Sequence, residues 1–186
     1  MLEFESTALP EVRIVKTKMF SDERGYFSEV YNRVAFAAGG IRLEFVQDNV
    51  SLSLKTGTVR GLHFQTPPFA QAKLIRAVRG SILDVVVDIR RNSPTFGQHV
   101  RVELSGGDCR QLFVPAGYAH GFCTLEPDTE VQYKVSAPYS ADHDRGLAWN
   151  DPALSIEWPV DPAQAVLSDK DRRNPPLAEL PAFFQE

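Results

Sequence analysis

Along most of its middle the chain alternates apolar and polar positions with a period of two, the mark of strands that bury one face. The pattern predicts strands over residues 45–54, 58–65, 72–78, 81–89, 100–104, 111–114, 119–125 and 131–135. Turn chemistry separates them at Lys55-Thr56-Gly57, Arg79-Gly80, Ser105-Gly106-Gly107-Asp108, Pro115-Ala116-Gly117 and Glu126-Pro127-Asp128. Before this block, 12–19 can form a strand, Asp22-Glu23-Arg24-Gly25 a turn, and 26–31 a second extended stretch. One short helix is expected over 33–38, with Asn32 as its cap and Gly39-Gly40 as its stop. Many short strands with turns at such spacing imply an all-β sandwich, jelly roll or barrel.

Several polar groups break the apolar pattern. In 45–54, Gln47, Asn49, Ser51 and Ser53 share one parity while Val46, Val50, Leu52 and Leu54 share the other. The next strand carries Arg60 and His63 just after a turn glycine, so two neighbouring strands are expected to send polar groups toward a common space. Arg60 and His63 differ in parity; a bulge at Gly61 would turn both the same way. Lys73, Asp84, Asp88, His120 and Tyr133 likewise lie inside apolar runs rather than loops, and ionisable groups in strand interiors point to a pocket within the β-structure. From Ser140 the composition shifts to proline, aspartate and tryptophan. Its prolines forbid central strands and its aromatics need cover, so this tail is expected to wrap the barrel and close one end.

A chain of 186 residues, 43% apolar and 24% charged, suits one globular domain spanning 1–186. The net charge of −4 argues against a general nucleic-acid binder but leaves room for a local basic pocket. Two cysteines, Cys109 and Cys123, do not make a disulfide framework. The N-terminus lacks the basic start and apolar core of a signal peptide, and no apolar run approaches the ~20 residues of a membrane span. A cytoplasmic protein with no membrane contact is expected.

Two clusters resemble the paired motifs of the cupin superfamily: Gly57 followed by His63-Phe64-Gln65, and Pro115-Ala116-Gly117-Tyr118-Ala119-His120. Metal-binding cupins place histidines at i and i+2 of the first motif, facing one way from a strand. Gln65 stands in the second place here, so no metal site is expected. The resemblance narrows further. Asp22-Glu23-Arg24-Gly25-Tyr26-Phe27, Gln47-Asp48-Asn49, Arg60 to Gln65, Gln71-Ala72-Lys73-Leu74, Asp84 to Arg90, Ser93 to Gly97, Pro115 to Phe122, Trp149-Asn150-Asp151-Pro152 and Leu167 to Asp171 follow the order and spacing of the dTDP-4-dehydrorhamnose 3,5-epimerase family, from about residue 10 to about residue 177.

That resemblance implies a cupin-type double-sheet jelly-roll barrel with a few short helices and a C-terminal wrapping tail. It also implies inversion of C3 and C5 of dTDP-4-dehydro-6-deoxy-D-glucose through enolates, without metal or other cofactor, by a homodimer. By resemblance His63 is the base and Asp171 its orienting partner. Lys73 stabilises the enolate oxygen, and Tyr133 is the acid on the opposite face. Arg24, Arg60 and Lys170 are expected to contact the diphosphate and Tyr139 to stack on the base. Glu29, Gln47 and Asn49 would add polar contacts, and His120 a hydrogen bond near the sugar or the His63–Asp171 dyad. Asp144 stands where the family usually has glutamate. Alternatives remain: a relative inverting only C3 or only C5, a ketoisomerase of a related dTDP-4-keto sugar, or a sugar-nucleotide-binding cupin without activity.

Overall fold

The computed structural model describes residues 2–185. Thirteen strands run in chain order: β1 (Glu3–Ser6), β2 (Arg13–Lys16), β3 (Phe20–Asp22), β4 (Gly25–Phe27), β5 (Gln47–Ser53), β6 (Val59–Gln65), β7 (Lys73–Arg79), β8 (Ser81–Asp88), β9 (His99–Ser105), β10 (Arg110–Val114), β11 (Tyr118–Thr124), β12 (Thr129–Val135) and β13 (Asp144–Gly146). The helix α1 (Arg33–Ala38) falls where the sequence predicts it; Asn32 accepts from the amides of Val34 and Ala35 at 3.0 and 3.1 Å. One sheet has six strands in the order β1-β2-β10-β7-β12-β5, the other five in the order β13-β6-β11-β8-β9, and β3 and β4 form a separate hairpin. Every strand pairing within these sheets is antiparallel, the arrangement of a cupin-like jelly roll.

Three sequence expectations change in the folded chain. Strands β5 and β6, adjacent in sequence, belong to opposite sheets, so their polar groups meet across the sandwich rather than side by side. Strands β1, β3 and β13 were not foreseen, because Glu3-Phe4-Glu5-Ser6, Phe20-Ser21-Asp22 and Asp144-Arg145-Gly146 have little β-pattern of their own; their pairing partners supply the structure. The tail covers a face as well as an end. Leu154, Leu177, Leu180 and Phe184 pack with Leu62, Phe64, Val85 and Val87 on the outer side of the five-stranded sheet. Buried Asp151 ties the tail down by accepting from the amides of Ala153 and Leu177 at 3.0 and 2.7 Å.

The inner faces meet in a core of Ile75, Ile82, Val86, Leu104, Leu112, Phe122 and Val131. Helix α1 and the segment after it cover the outer face of the six-stranded sheet through Phe36 and Ile41, packed with Val15, Leu74 and Phe113. With both faces of both sheets needing cover, parity alone decides which side chains point into the sandwich. On β5 and the residues flanking it, parity turns Gln47, Asn49 and Ser51 inward and leaves Val46, Val50, Leu52 and Leu54 at 50–67% exposure.

Strand β6 breaks its own parity. His63 pairs with His120 and Arg60 with Phe122, so three steps on β6 match two on β11, a bulge at Gly61-Leu62. Leu62 therefore faces the outer core while Arg60 and His63 both face in. The bulge needs a glycine twice over. Gly61 has φ +137°, and a Cβ there would lie 2.5 Å from the Cα of Gly121.

Gly61→Ala is expected to destabilise the protein by about 2 kcal/mol or more, since neither backbone can retreat from the other. Gly107→Ala should lose only about 1 kcal/mol of left-handed strain, its Cβ meeting nothing within 4 Å. Urea unfolding of the two variants checks the difference.

Candidate active site

Between the inner faces, at the end where β13 and the tail meet the sandwich, lies a cavity of about 560 Å³. That size suits a ligand as large as a sugar nucleotide. The six-stranded sheet lines it with Gln47, Asn49, Ser51, Lys73 and Tyr133, and the five-stranded sheet with Arg60, His63, Gln65, His120 and Asp144. The tail closes the remaining wall with Val166 to Ser168, Lys170 and Asp171.

The tail reaches that position by a backbone splice. The amide of Val59 donates to the carbonyl of Val166 at 2.9 Å, and the amide of Val166 to Gly57 at 3.0 Å, a parallel bridge beside the start of β6. A short turn then brings Asp171 back over the strand. Its Oδ1 lies 2.5 Å from His63 Nε2, and its own amide donates to Ser168 Oγ at 3.1 Å. Burial pushes the Asp171 carboxyl up, but the His63 hydrogen bond and charge, the Ser168 hydroxyl and the Gly61 amide outweigh it and hold the group below the usual carboxylate range. An ionised Asp171 fixes Nε2–H on His63 and leaves Nδ1 as the basic atom.

Lys73 approaches from the opposite sheet. It is nearly fully buried, and its ammonium donates to the carbonyl of His63 at 3.0 Å. Burial lowers its pKa to about 8, against the pull of the Asp144 and Asp84 carboxylates. Tyr133 pairs with Ile75 on one side and Asn49 on the other. Its pKa is raised, chiefly by burial, with Arg60 pulling down and Asp144 up, so the phenol stays protonated at neutral pH.

At the mouth, Asp144 accepts a close contact from the Lys170 ammonium and a 3.2 Å hydrogen bond from the hydroxyl of Tyr139, itself 61% exposed. The shorter acid thus reaches both neighbours directly. Arg60 donates to Ser53 Oγ and the carbonyl of Leu52, each at 3.0 Å. Gln65 is spent on backbone: its amide donates to the carbonyls of Phe69 and Pro138, and its oxygen accepts from the amide of Ser140. Among the described residues no group of three or more histidine, cysteine, aspartate or glutamate side chains converges as a metal site would require.

Of the residues singled out in the sequence, Arg24 and Glu29 lie outside this cavity. Arg24 sits on the β3–β4 hairpin with its guanidinium paired to Asp22 at 2.5 Å, and Glu29 is exposed beyond it. Asp88 is also elsewhere: at the far end of β8 it accepts from Arg90, Ser93 and Thr95, fastening a turn. Sequence reasoning passed over Ser168, which braces Asp171, and Gln71, which lines the cavity and donates to the carbonyl of Ala137 at 2.8 Å. Only the spacing Ser168-Asp169-Lys170-Asp171 signals the first.

Residues 6–179 match the family model described as dTDP-4-dehydrorhamnose 3,5-epimerase. The chain belongs to this epimerase family. A Sinorhizobium fredii protein named dTDP-4-dehydrorhamnose 3,5-epimerase is 54% identical over 182 residues, 98% of this chain and 93% of its own length. The fold agrees with two solved epimerases. One, from Bacillus anthracis with TDP and pyrophosphate bound, has a TM-score of 0.92 at 49% identity and covers 95% of this chain and 99% of its own. The other, from Legionella pneumophila in complex with dTDP-4-keto-L-rhamnose, has a TM-score of 0.93 at 39% identity and covers 98% of this chain and 96% of its own.

A lysine held near 8 carries its charge below that pH and loses it above. If the epimerase site needs the Lys73 ammonium, kcat/KM is expected to fall with one proton's slope above pH about 8. An alkaline limb only above pH about 10, where an ordinary lysine titrates, would assign control to another group.

Proposed function

We propose that this protein inverts C3 and C5 of dTDP-4-dehydro-6-deoxy-D-glucose to give dTDP-4-dehydro-L-rhamnose, working as a cofactor-free homodimer. The observation that carries the reading is the convergence of the His63–Asp171 pair, Lys73 and Tyr133 in one cavity, each from a different part of the chain. Both carbons flank the C4 ketone. His63 Nδ1 takes a proton from C3 or C5, and the electron pair moves through the new C=C bond onto the C4 oxygen. Asp171 stabilises the imidazolium, and Lys73 the enolate oxygen. Tyr133 then donates its phenolic proton to the opposite face, and exchange with solvent resets acid and base. The sequence repeats at the second carbon.

Arg60 and Lys170 are the cations for the diphosphate, Tyr139 the platform for the thymine, and Gln47, Asn49 and Asp144 its polar neighbours. His120 contacts the sugar. Lys170 exchanges its Asp144 partner for phosphate when substrate enters. Arg24 and Glu29 are proposed to serve the partner protomer's cavity, with the β3–β4 hairpin reaching across. Support comes from the surface: Phe20, Tyr26 and Phe27 on the hairpin are 53–69% exposed, as is the apolar outer face of edge strand β5, and such surfaces call for cover. Gln65, committed to backbone in a ligand position of metal-binding cupins, supports metal-free chemistry.

Proton exchange in D2O followed by NMR separates the steps. Wild type is expected to deuterate C3 and C5 as it makes epimer. His63→Asn should lose exchange and inversion together, by ~10²-fold or more. Tyr133→Phe should deuterate recovered substrate faster than it forms epimer, because enolate forms but lacks an acid on the far face. Equal losses in that variant would remove Tyr133 from the acid role, and exchange at a single carbon in wild type would mark a monoepimerase.

Chelator-treated protein should keep full activity, and sedimentation should give about twice 20.8 kDa. Activity restored by a divalent ion, or an active monomer at micromolar concentration, would count against the corresponding part of the reading.

A further inference from the structure

Asp84 is a buried charge that the steps above leave unused. It has no exposed surface and pairs with Phe122 in register, which sets it diagonal to His120 on the inner face. Its Oδ1 lies 2.8 Å from His120 Nε2. Among the described residues no donor other than His120 reaches either carboxylate oxygen, and no acceptor other than Asp84 reaches His120 Nε2. A carboxylate stripped of water and left so poorly solvated is costly, by several kcal/mol as a rule. Contrast Asp171, which is braced by Ser168 and by His63 at 2.5 Å. Nothing in the packing of β8 against β11 requires an acid at position 84; the neighbouring inward positions, Ile82 and Val86, are aliphatic core. What Asp84 does touch leads to the cavity: the ring of His120 forms part of the lining, which Lys73 shares.

We propose that Asp84 is a positioning residue for the epimerisation, holding Nε2–H of His120 toward itself so that Nδ1 offers a lone pair to the cavity, and supplying a fixed negative charge that keeps Lys73 protonated beside the substrate ketone. The proposal rests on the reaction assigned above. The charge balance around Lys73 supports it. Burial lowers both cations: Lys73 to about 8, and His120 below its ordinary value, with Lys73 and His63 adding repulsion. The other groups facing this space are Arg60 and His63 from β6, Tyr133 from β12, Asp144 from β13, and Lys170 and Asp171 from the tail. Lys170 opposes the Lys73 charge, and Asp144, which favours it, is shared with Lys170 and Tyr139 at the mouth. Asp84 is therefore the carboxylate that supports Lys73 with no lysine or arginine paired to it. A neutral His120 acting as acceptor and a charged Lys73 acting as donor are what a hydroxy-ketone needs at adjacent oxygens.

Asp84→Asn keeps the shape and removes the charge. Its alkaline limb of kcat/KM is expected about one pH unit below that of wild type. The rate ratio to wild type should be about one fifth at pH 8, approach about one tenth above pH 9 and recover toward one near pH 6, with dTDP affinity unchanged. A deficit of the same factor at every pH is the mark of a structural role and overturns the proposal, as does an unchanged profile. Should Asp84→Asn not fold, ¹⁵N NMR of wild-type His120 decides the tautomer directly: Nε2–H with a bare Nδ1 is expected, and the reverse overturns the proposal. That measurement needs no turnover. If wild type fails to convert the dTDP sugar, the assigned reaction falls while the tautomer still reports on Asp84.

Discussion

Two glycine backbones pressed together hold the site in shape. Gly61 on β6 and Gly121 on β11 approach so closely that a Cβ on either would overlap the other strand, and the extra residue at this point resets the parity of β6. Without the reset, His63 would follow Leu62 and Phe64 only by alternation, and Arg60 would share their outward face. With it, a cation and an imidazole enter the sandwich from one strand while two large apolar side chains on the same strand seal the outer face under the tail. The amide of Gly61 is also one of the groups that keep Asp171 ionised. One local irregularity thus fixes register, outer core and electrostatics together.

The interior that results is unusual for a β-sandwich, since charge stands where apolar contact is the norm. Its cost is spread unevenly. Asp171 is met by a short hydrogen bond, a hydroxyl and a backbone amide, and its carboxyl sits below the normal range. Lys73 has one carbonyl and two distant carboxylates, and its pKa drops to about 8. Asp84 has the least support of all. The shifts of Asp171 and Lys73 are the pattern expected of groups whose proton affinities are set for chemistry rather than for stability.

Cover and chemistry are joined in the C-terminal segment. It seals the five-stranded sheet with Leu177, Leu180 and Phe184, and 108 residues after His63 in sequence it delivers Asp171 onto that ring. Trp158 donates to the carbonyl of Trp149 at 2.7 Å, and Asp151 anchors Leu177, so the tail is fastened on both sides of the turn that carries Lys170 and Asp171. Loosening the cover therefore loosens the dyad. The other outer surface is treated differently: β5 presents valine and leucine to solvent while its polar side faces the cavity, an inversion of the usual strand pattern.

Strand content, the capped helix, the cupin-like class and, through ordered motifs, the family are legible in the residues alone, because alternation, turn residues and caps act over a few positions. The sequence also marked Lys73, Asp84, His120 and Tyr133 as polar groups in apolar runs. It could not say which of those runs face each other. That β5 and β6 lie in opposite sheets, that Lys73 meets His63 across the sandwich, and that Asp88 belongs to a distant turn while Asp84 backs His120 depend on pairings between residues far apart in the chain. The tail illustrates the limit: its prolines and tryptophans forecast a cover that closes one end, but that it also seals the outer face of the five-stranded sheet was decided by where unburied apolar area remained once the sheets had formed. Arg24 and Glu29, outside the cavity of their own chain, show the same dependence. Position along the sequence fixes a residue's local conformation, and only the packed sheets fix its neighbours.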